Sequence, residues 1–561
     1  MRRFPAILLL LLIAPVSSIG IVEFCPDPFL TGDPDEYLVL EGCGSLDGVV
    51  ISDGEGGFRF PPGSRISGQV IIARNGAAFL LTQGKNPDFE VYDSSPVIPD
   101  VVRSGNFQLS NTGDQLLVYE HNRLVQEVAW PRDVTARQGQ IHIFEGDRWD
   151  PRVLMIGQSR FAPAVFTGVD GVAFAAPDCS LEIFEDAVEA AGESILVSVY
   201  EFTSPRMAND LTEARSRGVE VRVLLEGGPV GGISAEEKEI LSILQENRIP
   251  VLLMVSNDRV HAPYRFDHAK FMVIDSAMVL VTSENFKENG FPEPRRYGNR
   301  GWGVVLVDPR VAGYFTEVYT YDEGGAWAVP AGETGERTDG QGRSSYQDGR
   351  SPEFSPVRFS NATVIPVIAP DTSRLIEDLI GQAETSIDIE QAYITNQSDG
   401  SFNPFLARAV EAARSGVRVR VLLDSYSYNI EGDEDNDELV AVLNTLARTE
   451  QIPLEARCAD LAANKLEKIH NKGVIVDQRQ VLVSSINWNT NSPTFNREAG
   501  VIIDHPVVGD YFSAIFEDDW EAGETGRGVQ GPDFLKIEIA MVVVGLLVLV
   551  WFGKRRTIWR R

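Results

Sequence analysis

The chain has 561 residues, 43% of them hydrophobic, enough for three globular units that each bury a core. Its 81 acidic residues outnumber 50 basic ones, and the formal net charge is −31. An exterior of that sign repels polyanions at long range, which argues against a processive nucleic-acid binder unless a local basic cleft overrides it.

In chain order, residues 1–20 (MRRFPAILLLLLIAPVSSIG) join Arg2 and Arg3 to an apolar run and small residues. That is the form of a secretory signal peptide, cleaved near Ser18 to Gly20, with an uncleaved anchor as the competing reading. Residues 21–145 place Gly and Pro turns between short alternating strands such as EYLVLEG, GQVIIARNG and RLVQEVAW, which predicts a β-sandwich. The order EYLVLEG, LSNTGDQLLVY, VQEVAW resembles the lamin-tail domain. The resemblance implies an immunoglobulin-like module used for positioning or adhesion.

Two units follow, residues 165–325 and 359–525, joined by a polar linker at 326–358, and the second repeats the first. SILVSVYEF from Ser194 parallels SIDIEQAYI from Ser386, and ARSRGVEVRVLLE, ending at Glu226, parallels ARSGVRVRVLLD, ending at Asp424. Alternating apolar strands and helices predict an α/β sheet with helical crossovers, and runs such as VRVLL suit buried parallel strands. A polar segment from Glu521 leads to the apolar run Ile537–Gly553, whose 17 positions would span about 25 Å as a helix. Lys554, Arg555, Arg556, Arg560 and Arg561 follow, so the positive-inside rule puts residues 554–561 in the cytoplasm and the catalytic units outside. This predicts a single-pass cell-membrane protein held by a C-terminal transmembrane helix.

The chemistry lies in a pattern found twice. His268, Lys270 and Asp275 stand in HAKFMVID, and His470, Lys472 and Asp477 in HNKGVIVD. Each copy runs into a strand and a Ser-x-Asn turn, with Ser283 and Asn285 in the first and Ser485 and Asn487 in the second. The chain has only six histidines, so two heading one extended motif is not casual. Imidazole titrates near neutral pH, so one ring can act as nucleophile while its neighbour acts as acid. Lys270 and Lys472, two residues on and so on the same strand face, can set ammonium groups against non-bridging phosphoryl oxygens, and Asn285 and Asn487 add neutral donors, with Ser283 and Ser485 as lesser partners. Asp275 and Asp477 could join the chemistry or cap the strand end. Covalent catalysis of this kind needs no metal or other cofactor, and no metal-ligand spacing is evident.

This constellation resembles the phospholipase D superfamily over roughly residues 165–525. The resemblance implies two α/β sandwich units about a pseudo-twofold axis, so that both motifs line one cleft within a single chain and no oligomer is required. It implies a phosphohistidine intermediate, His268 and His470 sharing the roles of nucleophile and general acid/base. It also implies a histidine-orienting Glu after the Ser-x-Asn turn. Glu498 in NREAG stands there, but NRGWG has Gly301, so Glu498 is expected to orient His470, and His268 to rely on Glu201, Glu284 or Glu293.

Arg265, Lys287, Arg295 and Arg296 in the first unit and Lys465 and Lys468 in the second are the basic residues near the motifs. The acidic run Glu431–Glu438 reads as an exposed loop, with calcium binding as the alternative. Four cysteines in an exported chain suggest disulfides: Cys25 with Cys43, and either a Cys179–Cys458 staple or two buried thiols. Three functions fit: a phosphodiesterase or transphosphatidylase acting on phospholipid headgroups, a surface nuclease acting on DNA or RNA, or a non-catalytic surface-binding protein.

Overall fold

Apolar runs bounded by turn and cap residues form the strands that the repeat foretells. A computed structural model describes residues 19–522 apart from 136, 146–147, 151, 258–259, 333–351 and 433–434. In the first unit Ser194–Val199, Glu220–Glu226 and Val251–Met254 run parallel, and Lys270–Ile274, Met278–Thr282 and Gly301–Val307 continue the sheet antiparallel. The second unit repeats this with Ser386–Gln391, Arg418–Leu423, Leu454–Cys458, Lys472–Val476, Gln480–Ser484 and Glu498–Asp504. The crossover helices Pro205–Ser216 and Pro404–Arg414 start alike. Ser204 and Asn403 each accept a bond from a first-turn N–H, and proline takes the first helical position.

The halves form one body. Phe166–Ala176 and Val357–Ala369 pair antiparallel at the centre of a single 15-stranded sheet. Phe271, Val281 and Val304 share a core with Ile475, Val483 and Val501. Two fully buried arginines fasten the join. Arg300 of the first unit meets Asp519 of the second at 2.6 Å and Asp178 at 2.8 Å, while Arg497 of the second meets Asp322 of the first at 2.7 Å and Asp371 at 3.1 Å. Arg300→Met leaves two buried carboxylates without a cation, and we expect it to cost about 3–5 kcal/mol, read as a lower chemical-denaturation midpoint.

The N-terminal residues form the expected β-sandwich. One sheet holds Gly20–Cys25, Tyr37–Ser45, Arg65–Asn75, Phe89–Tyr92 and Gln140–Glu145, and the other holds Val49–Ser52, Gly57–Arg59, Val102–Ser104, Thr112–Glu120 and Arg123–Thr135. Phe24, Leu38, Leu40, Ile51, Phe58, Leu116 and Val118 fill the space between them. The module runs past residue 145, because Arg148–Trp149 and Leu154–Met155 still pair with Gln140–Glu145.

The Cys25–Cys43 expectation is corrected, and of the two readings of Cys179 and Cys458 the free-thiol one holds, since all four thiols are free. Cys25 pairs in register with Tyr37, and Cys43 lies six residues further along that strand, about 20 Å away. A disulfide needs Cα atoms within roughly 7 Å. Cys179 precedes the helix Ser180–Glu189 of the first unit, whereas Cys458 ends a strand at the far edge of the second, so no staple joins them. Among the described residues no helix is long and apolar enough to cross a membrane. The expected signal sequence up to residue 18 and the apolar segment 537–553 lie outside the described residues.

Candidate active site

Each motif strand is hung from one carboxylate-bearing strand end and from the opposite unit. Glu226 accepts the Asp267 N–H at 2.6 Å, and Asp424 accepts the Ile469 N–H at 2.7 Å, so the residue before each histidine is pinned in the same way. His268 N–H then donates to the Arg497 carbonyl at 2.8 Å, and His470 N–H to the Arg300 carbonyl at 2.9 Å. Backbone hydrogen bonds thus place each histidine against the other half.

The side chains cross as well. His268 Nδ1 lies 2.8 Å from Glu498 Oε2, and His470 Nδ1 lies 3.1 Å from Glu284 Oε1. This corrects the sequence reading: Glu498 serves His268 rather than His470, and Glu284 serves His470. The missing carboxylate at Gly301 is not missing in space. A Cβ on Gly301 would stand 2.4 Å from Glu284 Oε1, so the Glu284 side chain fills the room that a glutamate at 301 would use. The same asparagine position steadies both carboxylates, Asn299 donating to Glu284 at 2.8 Å and Asn496 to Glu498 at 3.0 Å.

The two carboxylates differ in support. Glu498 also accepts from Ser485 Oγ at 2.6 Å and from Ser492 Oγ. Burial pushes its pKa up, but His268, Lys270 and these donors outweigh burial and hold it below the usual carboxylate range. For Glu284, burial wins over Lys472 and Asn299, and its pKa is raised. Burial lowers the pKa of His268, against the pull of Glu498. His470 is pushed further down, by burial first and then by Lys472, Lys468, Lys270 and His268. The cleft therefore favours a neutral His470 beside a more readily protonated His268.

Lys270 and Lys472 are wholly buried, and each donates to the carbonyl of its own histidine, Lys270 Nζ at 2.7 Å. Burial, opposed by Glu498 and Glu201, pushes Lys270 down to about 8. Burial and Lys270 lower Lys472 too. The stability consequence has a definite sign. The unfolded chain binds more protons than the folded one between pH 8 and the ordinary lysine range, so the charge penalty is full below about pH 8 and fades as pH rises toward 10.5. Lys270→Met is thus expected to stabilise the protein at pH 7, by on the order of 1–3 kcal/mol, and to lose that advantage by pH 10, as denaturation at the two pH values will read.

Other expected site residues fall elsewhere. Asp275 and Asp477 sit at the far end of the motif strands, seven residues and roughly 20 Å from their histidines. Each occupies a tight turn in the left-handed region, at φ 51° and 53°. Asp275 accepts from the Gly192, Glu193 and Ser194 N–H groups at 2.7–2.8 Å, and Asp477 from those of Glu384, Thr385 and Ser386 at 2.7–2.9 Å. Both cap a loop, and the expected catalytic role gives way to this one. Ser283 and Ser485 are also corrected, because both are fully buried and face inward, Ser283 Oγ accepting from the Trp302 N–H at 3.1 Å and Ser485 holding Glu498. Asn285 donates to Glu201 at 3.3 Å, and the amide oxygens of Asn285 and Asn487 are buried without a hydrogen-bond partner.

Of the nearby basic residues, Lys287 pairs with Glu201 at 3.0 Å and Arg296 with Glu293 at 2.9 Å, whereas Lys468 acts on the site itself through His470 and Glu284. Sequence reasoning missed Tyr200, whose ring packs against His268 with centroids 4.7 Å apart, and the fastening arginines, although Asn-Arg is common to both copies.

Residues 185–322 and 376–520 match the family described as cardiolipin synthase, PLD-like domain. Similar solved structures include Nuc from Salmonella typhimurium, a phospholipase D family member (21% identity, TM-score 0.24, covering 30% of this chain and 99% of that one). Another is the phosphatidylserine synthase of Haemophilus influenzae Rd KW20 (14% identity, TM-score 0.45, 68% of this chain and 96% of that one). NucT from Helicobacter pylori is a third (16% identity, TM-score 0.23, 29% of this chain and 98% of that one). No curated protein matches in sequence. Because the family match takes in both histidine strands and about half of the residues, this chain belongs to the PLD-like family of the cardiolipin synthase type.

Proposed function

We propose that the chain is a phosphodiesterase or phosphatidyl transferase that works through a phosphohistidine on phospholipid headgroups. The observation that carries this reading is the crossed pairing of His268 with Glu498 and of His470 with Glu284 about one cleft. His470, held neutral and with Nδ1 engaged by Glu284, presents Nε2 to phosphorus. As the N–P bond forms, the P–O bond to the headgroup alcohol breaks, and the protonated form of His268, the more readily protonated of the two rings and paired with Glu498, gives its Nε2 proton to the departing oxygen. Water or a second alcohol then returns a proton to His268 while its oxygen displaces His470. Lys270 and Lys472 face the charge that grows on the non-bridging oxygens, with Asn285 and Asn487 beside them.

The lipid substrate draws support from the family description, from the acidic exterior, and from an apolar segment at 537–553 that would hold the cleft beside a bilayer. The full chain in detergent, with a chelator present, is to be offered phosphatidylcholine and phosphatidylglycerol vesicles and single- and double-stranded DNA. Lipid turnover is the expected result. DNA cleavage without lipid turnover would replace this reading with a nuclease, and inertness toward all four would leave a binding protein.

A further inference from the structure

We propose that a groove between the N-terminal sandwich and the first catalytic unit binds a second phosphate group, carried by the lipid headgroup, through Arg137 and Arg265. The proposal rests on the phospholipid reading above. The groove has a volume of about 470 Å³ and takes its lining from the sandwich and the first catalytic unit, with Asn491 and Phe495 of the second unit closing it. Arg137 belongs to the turn between the sandwich strands Arg123–Thr135 and Gln140–Glu145, and Arg265 to the loop that enters the first motif strand. A space of this size lies within the range of small-molecule sites and can hold a phosphate-bearing headgroup.

The walls are set by contacts across the domain boundary. Phe29 of the sandwich stacks on His261 of the catalytic unit, with centroids 3.9 Å apart and planes at 8°. The Arg137 guanidinium lies 4.8 Å from the centre of the Phe495 ring, and Arg265 Nη1 donates to Asn491 Oδ1 at 3.0 Å. These contacts orient both guanidiniums with a neutral ring and a neutral amide, so their charge stays available to an anion. Planar guanidinium groups bind phosphate oxygens in a forked geometry that a lysine cannot copy.

The groove is wired to the reacting centre. Arg265 N–H donates to the Phe495 carbonyl at 2.8 Å, Arg497 N–H to the Phe266 carbonyl at 2.9 Å, and His268 N–H to the Arg497 carbonyl at 2.8 Å. This ladder runs three residues from Arg265 to His268, no more than about 11 Å of backbone. A headgroup whose departing oxygen sits at His268 can therefore extend a second phosphate toward the arginines. A polynucleotide is the weaker occupant, because beyond the groove it would meet a chain whose net charge is −31.

The test compares two short-chain lipids, dioctanoyl-phosphatidylglycerol and dioctanoyl-phosphatidylglycerophosphate, as substrates of the full chain. The wild type should favour the phosphorylated headgroup in kcat/KM. Arg137→Gln should reduce that preference about tenfold, and Arg137→Gln with Arg265→Gln further, the effect being read as the ratio of kcat/KM for the two lipids within each variant. Arg137→Lys should recover only part of the preference. Turnover of both lipids at a ratio indifferent to these changes overturns the groove assignment and leaves the proposed function standing. Turnover of neither overturns both. Cleavage of oligonucleotides that falls in Arg137→Gln, with the lipid ratio unmoved, assigns the groove to a nucleic-acid strand and overturns the proposal.

Discussion

His470→Ala abolishes turnover of every diester, by about 10⁴-fold or more, whereas His268→Ala depends on the leaving group. With an alkyl headgroup, His268→Ala loses about 10²- to 10⁴-fold, the usual worth of a placed general acid. With phosphatidyl-p-nitrophenol the departing phenolate needs no proton, so the first displacement should stay within about tenfold of wild type. The second displacement then lacks its base. The expected record is one burst of p-nitrophenol equal to the enzyme present, followed by slow release, with the phosphoryl group trapped on the peptide that carries His470. The basis is the unequal support of the two carboxylates: Glu498 accepts from His268, Ser485, Ser492 and Asn496, whereas Glu284 accepts from His470 and Asn299. A burst from His470→Ala, with label on His268, would reverse the two roles.

The second large effect concerns the carboxylate that moved. Gly301→Glu introduces a side chain where the Glu284 carboxylate already stands, at a Cβ–Oε1 approach of 2.4 Å. We expect it to cost about 2–4 kcal/mol of stability and at least 100-fold in kcat, since two buried carboxylates would contend for Asn299 and His470. The second unit has Ile486 where the first has Glu284, and Glu498 where the first has Gly301. Glu284→Ile combined with Gly301→Glu therefore recreates that arrangement and should return activity to within about tenfold of wild type. Glu284→Ile alone leaves His470 without its carboxylate and should lose about 100-fold. Stability and kcat of the four proteins form a double-mutant cycle, and additive losses would refute the exchange of positions.

How much of this was legible in the sequence depends on how local the signal was. Strands, crossovers, duplication and the His-Lys pairs follow from short-range patterns of apolarity and spacing. The partner of each histidine did not, because it comes from more than 180 positions away, across the pseudo-twofold axis. A clue was present all the same: Ser-Glu-Asn in one copy faces Ser-Ile-Asn in the other, a charged residue at a position where its counterpart is fully buried. Coupled with the glycine at 301, it marks a carboxylate displaced in sequence and retained in space. Asp275 and Asp477 misled for the opposite reason. Their constant spacing from the histidines reflects strand length and turn geometry, so the spacing says nothing of chemistry. The Cys25–Cys43 pairing failed because membership of one module says little about position along a strand.

The crossed histidine–carboxylate pairs also bear on the history of the chain. Each ancestral copy now supplies a part that only its sibling can use, so neither can decay, be excised or be reshaped on its own without disabling the other. A duplication that began as redundancy has become mutual dependence, and substitutions at 284 and 301 are tolerable only in combination.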